Sequence, residues 1–259
     1  MTAPDAHAAL APPTADPTAE TRLGDRLPDS PPGGRRYAVR AVWRTLQGEG
    51  FWAGRPAVFV RLAGCNLWTG EAPDRARDAA RSGAACPLWC DTDFRKAGSV
   101  RLSAAALVAE VLRVGGPVRF VVLTGGEPLL QADAALVAAL RAEGFYVACE
   151  TNGTRTLAGA FGRAEAGPDW VVCSPKLPEE RLPLECLDEL KLVVPDYLPE
   201  RYAALAARLR PHPVAGQLRW LQPEDGPRHA EAVALAVALA HADPAWRVSV
   251  QTHKVLGVD

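Results

Sequence analysis

The chain has 259 residues, enough for one large domain, and 48% of them are hydrophobic, as is typical of globular proteins. Its 29 lysines and arginines nearly balance its 30 aspartates and glutamates, so net charge gives no reason to expect a nucleic-acid or membrane partner. No apolar run reaches the ~18 residues of a membrane span, and no secretory signal begins the chain, so we expect a cytoplasmic protein.

The first 35 residues are rich in alanine, proline and aspartate and have little periodic apolar pattern. Such a segment buries too little surface to offset the entropy lost on ordering. We therefore predict a disordered extension over residues 1–35, followed by one domain over residues 36–259.

From residue 37 onward, short apolar segments alternate with helical ones. Strands are predicted at 57–63, 119–123, 145–149, 169–173, 189–194, 218–222 and 247–251. Helices are predicted at 103–113, with Ser103 as the N-cap, and at 133–141, 199–209 and 229–241. This alternation is typical of βα units, so we predict an α/β fold, an incomplete and open (β/α) barrel with parallel strands.

Polar clusters containing glycine or proline follow almost every predicted strand. They begin at Gly64, Thr124, Glu150, Ser174, Gln222 and Thr252. The carboxyl ends of parallel strands meet at one edge of a sheet or barrel, and this edge is where such folds build their sites. The six clusters therefore predict one shared functional site.

The six cysteines are too few for a disulfide scaffold. Three of them lie in apolar stretches and are expected to be buried small side chains: Cys149, Cys173 and Cys186. Cys65, Cys86 and Cys90 lie in a long loop that we expect to be inserted after the first barrel strand and to bind a cofactor. Three thiols fit a [4Fe–4S] cluster with one open iron, whereas a structural zinc site takes four ligands. A closed zinc module without enzymatic activity remains the alternative.

The tetrapeptide 125–128, Gly-Gly-Glu-Pro, ends a predicted strand. Its glycines let the backbone approach a ligand closely, and Glu127 can accept hydrogen bonds from an amine. An ordinary turn would explain the tetrapeptide equally well by itself.

Together, the motifs resemble the radical S-adenosylmethionine superfamily and, within it, the family of 7-carboxy-7-deazaguanine synthases of queuosine biosynthesis. The resemblance runs in order from about residue 37 to the end of the chain. It is carried by the segments 45–50, 54–56, 61–68, 90–94, 124–128, 150–154, 174–176, 221–227 and 251–254.

The resemblance implies a carbon–nitrogen lyase that converts 6-carboxy-5,6,7,8-tetrahydropterin to 7-carboxy-7-deazaguanine with loss of ammonia. A reduced [4Fe–4S] cluster would cleave S-adenosylmethionine to a 5′-deoxyadenosyl radical, and Mg²⁺ would assist the ring contraction. A flavodoxin- or ferredoxin-type electron donor and a homodimer are implied as well.

The resemblance also assigns roles to individual residues. The catalytic set would be the cluster ligands Cys65, Cys86 and Cys90 together with His253, and Thr92 would bind Mg²⁺. The S-adenosylmethionine contacts would be Trp89, Cys90, Asp91, Gly126, Glu127, Ser174, Pro175, Lys176, Gln222, Pro223, Glu224 and Asp225. The pterin contacts would be Leu46, Gln47, Gly48, Glu49, Arg61, Thr124, His253 and Asp259. An arginine suits the pterin carboxylate because its guanidinium can bind bidentately.

Two of these assignments keep an alternative. Glu49 could order its own loop instead of accepting a hydrogen bond from the substrate, and His253 could be a structural histidine. Another radical S-adenosylmethionine enzyme, such as an activase that makes glycyl radicals on a protein, is the rival enzyme class.

The cysteine spacing departs from the usual superfamily pattern of three and then two intervening residues. Here 20 residues separate Cys65 from Cys86, and three separate Cys86 from Cys90. A helix at 73–82 is expected within the longer spacer. The extra residue before Cys90 predicts a bulged turn that shifts the thiol of Cys86.

Overall fold

The structure is a computed structural model that describes residues 34–258, in which nine strands form a single sheet. The predicted extension lies outside the described residues except for its last two positions, and so does the predicted substrate contact Asp259.

The sheet is open and mostly parallel. Its strands are β1 (Arg36–Leu46), β2 (Pro56–Leu62), β3 (Val100–Ser103), β4 (Phe120–Gly125), β5 (Tyr146–Thr151), β6 (Trp170–Cys173), β7 (Glu189–Val194), β8 (Leu218–Pro223) and β9 (Trp246–Val248). Their spatial order is β3-β1-β2-β4-β5-β6-β7-β8-β9, and all neighbours from β2 to β9 are parallel. These seven strands correspond to the seven predicted ones, and the α/β class and the open sheet are confirmed.

Two strands were not predicted, and both are antiparallel. β1 pairs with β2 on one side and with β3 on the other, so the expectation of parallel strands fails at this edge. The pairing of β1 with β2 is irregular between Val39 and Ala41, which interrupts the period of two on which strand prediction depends. At the opposite edge β9 ends at Val248, three residues before the predicted end at 251.

The described part of the chain has seven α-helices: α1 (Arg75–Ser82), α2 (Ala104–Gly115), α3 (Ala134–Ala142), α4 (Leu157–Phe161), α5 (Ala203–Ala206), α6 (His229–Ala242) and, after the last strand, α7 (Thr252–Leu256). Ser103 caps α2 as predicted, since its hydroxyl accepts a hydrogen bond of 3.2 Å from the backbone N–H of Ala106. Within residues 34–258 no helix is long and apolar enough to cross a membrane.

The helix predicted at 199–209 is wrong in extent. A 3-10 turn at Pro199–Arg201 is followed only by the short α5, and the chain then turns back toward β7. Arg208 fixes this turn because its guanidinium donates to the backbone oxygens of Leu182 and Leu184. These contacts are distant in sequence, so local helix propensity could not reveal them.

The two faces of the sheet bury different apolar clusters. The helices cover one face with the larger cluster, which buries Cys149 and Cys173 as predicted, whereas Cys186, also predicted to be buried, packs against it only partly buried. The other, inner face has a smaller, aromatic-rich cluster with Phe120, Trp170 and Trp220. The turn at Gly50–Trp52 packs its aromatic rings against this inner cluster and closes it on one side.

Candidate functional site

Polar side chains replace aromatic ones toward the carboxyl ends of the strands. Residues two positions apart on a strand point to the same face of the sheet. The residue two positions after a member of the inner cluster therefore also points inward. On β2 the step leads from Phe59 to Arg61, and on β8 from Trp220 to Gln222. The corresponding residues on β4, β5 and β7 are Thr124, Glu150 and Lys191. These polar residues line two neighbouring cavities.

The first cavity, here called the cysteine cavity, brings together the three cysteines and most of the residues predicted to bind S-adenosylmethionine. The predicted residues that line it are Cys65, Cys86, Trp89, Cys90, Asp91, Gly126, Ser174, Lys176, Gln222, Pro223, Glu224 and Asp225. Only Glu127 and Pro175, among the predicted contacts, do not line it.

The second cavity, here called the arginine cavity, is lined by every predicted pterin contact in the described part of the chain. These residues are Leu46, Gln47, Gly48, Glu49, Arg61, Thr124 and His253. Val258 also lines it, immediately before Asp259. The two cavities share a wall formed by Glu49, Asp91, Thr92, Thr124, Glu150 and Gln251.

Two glycines at the end of β4 let the backbone pass close to the first cysteine. A Cβ atom on Gly126 would lie 2.6 Å from the Cβ of Cys65, and one on Gly125 would lie 2.1 Å from the oxygen of Leu62. Gly125 also has a φ of 136°, which side chains disfavour. The Gly-Gly pair is therefore required by the approach of β4 to the segment after β2.

Glu127 lies beneath the cysteine cavity instead of lining it. Its carboxylate accepts hydrogen bonds from the backbone N–H of Leu129 and Asn152, at 2.9 and 2.7 Å, and from the hydroxyl of Thr151 at 2.8 Å. Burial raises the pKa of Glu127 to about 7, although these three donors act in the opposite direction. Glu127 thus ties the end of β4 to the end of β5.

One helical turn accommodates the unusual spacing of the second and third cysteines. The backbone N–H of Cys90 donates to the oxygen of Cys86 at 2.8 Å, so the two cysteines are related as i and i+4. Side chains four residues apart lie on the same side of a helical turn. Arg75 of α1 braces the turn by donating to the backbone oxygens of Pro87 and Cys90, at 2.5 and 2.9 Å.

The three cysteines line one cavity, an arrangement that fits a cluster held by three thiolates. The backbone N–H of Leu67 donates to the sulfur of Cys65 at 3.4 Å, a contact that stabilises a thiolate. Burial raises the pKa of Cys65, and it raises that of Cys86 to about 12 although the Lys176 cation opposes this rise. Metal binding would therefore displace thiol protons. Over residues 34–258 no three His, Cys, Asp or Glu side chains are arranged to hold a single metal ion.

A buried ion pair forms part of the wall between the cavities. Lys191 donates to the carboxylate of Glu49, which also accepts from the side-chain amides of Gln222 at 3.0 Å and Gln251 at 2.8 Å. Burial would raise the pKa of Glu49, but Lys191 lowers it to about 2. Glu49 is therefore ionised at neutral pH, and Lys191 remains protonated because the same carboxylate raises its pKa against the effect of burial.

His253 is packed against Gly48 at the mouth of the arginine cavity. The loop after β1 and the start of α7 are joined by hydrogen bonds from the backbone N–H and the hydroxyl of Thr252 to the oxygen of Gly48, at 2.9 and 3.0 Å. A Cβ atom on Gly48 would lie 1.8 Å from Nδ1 of His253. The observed position of His253 thus depends on the absence of a side chain at residue 48.

Lys254 links three loops around the cavities. Its ammonium group on α7 contacts the carboxylates of Asp91, at 3.1 Å, and Asp225. Asp91 follows the cysteine turn, and Asp225 follows β8, so the lysine joins the two segments across the opening.

The resemblance implies that the cysteine cavity binds S-adenosylmethionine, and on that expectation Lys254→Met should weaken this binding about threefold, because two partly exposed ion pairs are worth little in water. Equilibrium dialysis with labelled S-adenosylmethionine measures this change, which should shrink at high salt. The exposed Lys96 lines neither cavity, so K96M is the matched control. Equal affinity in K254M and K96M would contradict the prediction.

Several cavity residues were given no individual role from the sequence, although Glu150 and Gln251 belong to segments that carry the resemblance. Lys191, Glu150 and Gln251 lie on or just after predicted strands, and Lys191 is one of only four lysines in the chain. Trp43 and Thr45 belong to the unpredicted β1, and Phe59 faces Trp43 from β2. Recognising β1 from its apolar residues would have placed Trp43 and Thr45 on one face two residues apart.

Known proteins resemble this chain in sequence. The Radical SAM superfamily matches residues 86–214. The 7-carboxy-7-deazaguanine synthase of Caulobacter vibrioides is 45% identical over 86% of this chain and 99% of its own length. The enzyme of that name from Bordetella pertussis has the same identity and the same coverage of both chains.

A solved structure resembles the fold. QueE from Escherichia coli superposes with a TM-score of 0.58 and is 26% identical, with 83% of this chain and 93% of the QueE chain covered.

Proposed function

Because the chain belongs to the 7-carboxy-7-deazaguanine synthase family of the radical S-adenosylmethionine superfamily, we propose that it converts 6-carboxy-5,6,7,8-tetrahydropterin to 7-carboxy-7-deazaguanine with loss of ammonia, as a carbon–nitrogen lyase. The observation that carries this proposal is the shared wall of the two cavities. It places a three-cysteine site directly beside a separate polar cavity, so a cofactor and a second small molecule can meet there.

Cys65, Cys86 and Cys90 would hold the [4Fe–4S] cluster in the loop inserted after β2. When bound, the reduced cluster and S-adenosylmethionine together supply the radical that removes a hydrogen atom from the pterin ring. The protein binds and orients the reactants and limits access of water. Gly126, Ser174 and the Gln222–Asp225 segment would contact S-adenosylmethionine. Because Lys176 donates to the Ser174 hydroxyl at 2.6 Å, it would fix that contact.

The pterin would occupy the arginine cavity. Arg61 would bind its carboxylate through two parallel hydrogen bonds. The ionised carboxylate of Glu49 is held by Lys191 and would accept N–H groups of the pterin ring. His253 would contact the substrate from α7, in the place that Gly48 leaves open.

Thr92 would contribute to a Mg²⁺ site in the wall between the cavities. Its neighbour Asp93 is already bound by Arg40 and Arg95, at 2.6 and 3.0 Å, so that carboxylate is engaged elsewhere. One neutral hydroxyl holds Mg²⁺ poorly, and the ion would need oxygen atoms of the substrate carboxylate and of water to complete its octahedron. We further propose a homodimer in the cytoplasm that receives electrons from a flavodoxin- or ferredoxin-type protein.

The test is an assay under anaerobic conditions with reconstituted iron and sulfide, S-adenosylmethionine, Mg²⁺, reductant and 6-carboxytetrahydropterin. We expect formation of 7-carboxy-7-deazaguanine, detected by mass spectrometry. The Cys86→Ala variant should lose this activity together with its iron content and its absorbance near 400 nm, because one cluster ligand is removed. Cys186→Ala is the matched control, since this thiol lines neither cavity, and it should retain both.

Other outcomes separate the alternatives. An iron-containing protein that cleaves S-adenosylmethionine without forming the deazaguanine would retain the superfamily chemistry and exclude this substrate. A glycyl-radical activase would cleave S-adenosylmethionine only with its protein partner. A colourless protein with bound zinc would contradict the whole proposal.

A further inference from the structure

Strand β1 contributes an aromatic side chain to the arginine cavity, next to the arginine that would bind the substrate. In the register of β1 and β2, Trp43 lies directly opposite Phe59, while Arg61 lies opposite Ala41. Trp43 and Arg61 are therefore diagonal neighbours across the pair, a separation that long side chains can bridge. All three of Trp43, Phe59 and Arg61 line the cavity.

The three side chains form a stack. The rings of Trp43 and Phe59 have centroids 5.2 Å apart with an interplanar angle of 27°. The guanidinium carbon of Arg61 lies 4.7 Å from the centroid of the Trp43 ring. This distance is within the range in which an aromatic face attracts a cation, and tryptophan is the strongest of the aromatic partners. The indole of Trp43 thus contacts both the Phe59 ring and the Arg61 guanidinium.

Fixing an arginine side chain costs conformational entropy. This cost lowers the affinity for a carboxylate unless the protein already holds the guanidinium in place before binding. We propose that Trp43 is a positioning residue that holds the guanidinium of Arg61 ready for the pterin carboxylate. This inference rests on the proposed function. It adds a residue from the middle of β1, the strand antiparallel to β2, to the recognition of the substrate.

The experiment compares the parent with Trp43→Leu and Trp43→Phe as reconstituted enzymes with S-adenosylmethionine. We expect Trp43→Leu to raise KM and the dissociation constant for 6-carboxytetrahydropterin about tenfold, with a smaller change in kcat. Trp43→Phe keeps an aromatic face, so its constants should stay closer to those of the parent. Trp43→Phe also preserves the test if the leucine variant does not fold.

Two further measurements distinguish positioning from general packing. Tetrahydropterin without the 6-carboxylate should bind the parent and Trp43→Leu with equal affinity. In a protein that already has Arg61→Gln, adding Trp43→Leu should change the dissociation constant for 6-carboxytetrahydropterin little. Trp220→Leu is the matched control, because Trp220 also lies near an arginine, with the Arg247 guanidinium carbon 5.9 Å from its centroid, but lines neither cavity. Its KM should remain that of the parent.

The inference is wrong if the Trp43→Leu effect is the same for the ligand without a carboxylate, or if it persists in full beside Arg61→Gln. It is also wrong if Trp43→Leu binds the carboxylated pterin as tightly as the parent does. Failure of the proposed function would differ, because the parent itself would then neither bind nor convert this pterin.

Discussion

The Gly48→Ala variant is expected to form 7-carboxy-7-deazaguanine about 100-fold more slowly than the parent, a loss typical of a 1 Å displacement in an active site. The added Cβ would lie 1.8 Å from Nδ1, 2.5 Å from Cγ and 2.8 Å from Cβ of His253. The side chain of His253 must therefore leave its observed position. Single-turnover assays on the reconstituted enzyme measure the rate.

The fold should survive this substitution, because His253 is only partly buried and can turn toward solvent. His253→Ala supplies the control. If Gly48→Ala acts by displacing the imidazole, the double variant Gly48→Ala/His253→Ala should be no slower than His253→Ala alone. An active Gly48→Ala enzyme would show that this histidine does not contact the substrate.

The Lys191→Met variant is expected to lose about 3–5 kcal/mol of unfolding free energy, the usual cost of leaving a buried charge without its partner. Glu49 would keep its hydrogen bonds from Gln222 and Gln251 but would lose the only cation bonded to it among the described residues. Denaturant unfolding under anaerobic conditions measures the difference. The double variant Glu49→Gln/Lys191→Met should recover most of the loss, since neither charge remains.

This ion pair also predicts a dependence on pH. The pKa of Glu49 is about 2 in the folded protein, below its ordinary value of 4.5. Its contribution to stability is therefore complete above about pH 4.5 and decreases as the pH falls toward 2. In Lys191→Met, burial alone would raise this pKa, so protonation at mildly acidic pH would relieve the buried charge. The stability difference between parent and variant should therefore shrink as the pH falls, and a constant difference would contradict the ionised state of Glu49.

The fold could be predicted where local pattern decides structure. The parallel strands are short and apolar because both of their faces are buried, and this pattern is visible in the sequence. β1 was missed because the irregular pairing near Val39 shifts its alternation. The helix at 199–209 was predicted too long because Arg208 and Leu209 are held by residues of another segment. Contacts between distant segments are not encoded in local periodicity.

The site could be predicted where polar residues follow a strand directly. That rule located Ser174, Asp225 and His253, which line the two cavities. It could not identify Lys191 and Trp43, which lie inside strands and reach the cavities only because the inner face of the sheet points there. Nor could it show that Glu127 accepts hydrogen bonds from Leu129, Thr151 and Asn152, since these donors come from segments that meet only in the folded chain.

The single turn from Cys86 to Cys90 has a consequence for recognising related sequences. A search pattern that fixes the number of residues between these cysteines at two would pass over this chain. In this chain the N–H of Cys90 donates to the oxygen of Cys86, so the longer spacing still closes into a single turn. A pattern that admits either spacing, provided that Asp-Thr-Asp follows the last cysteine, would retain such proteins.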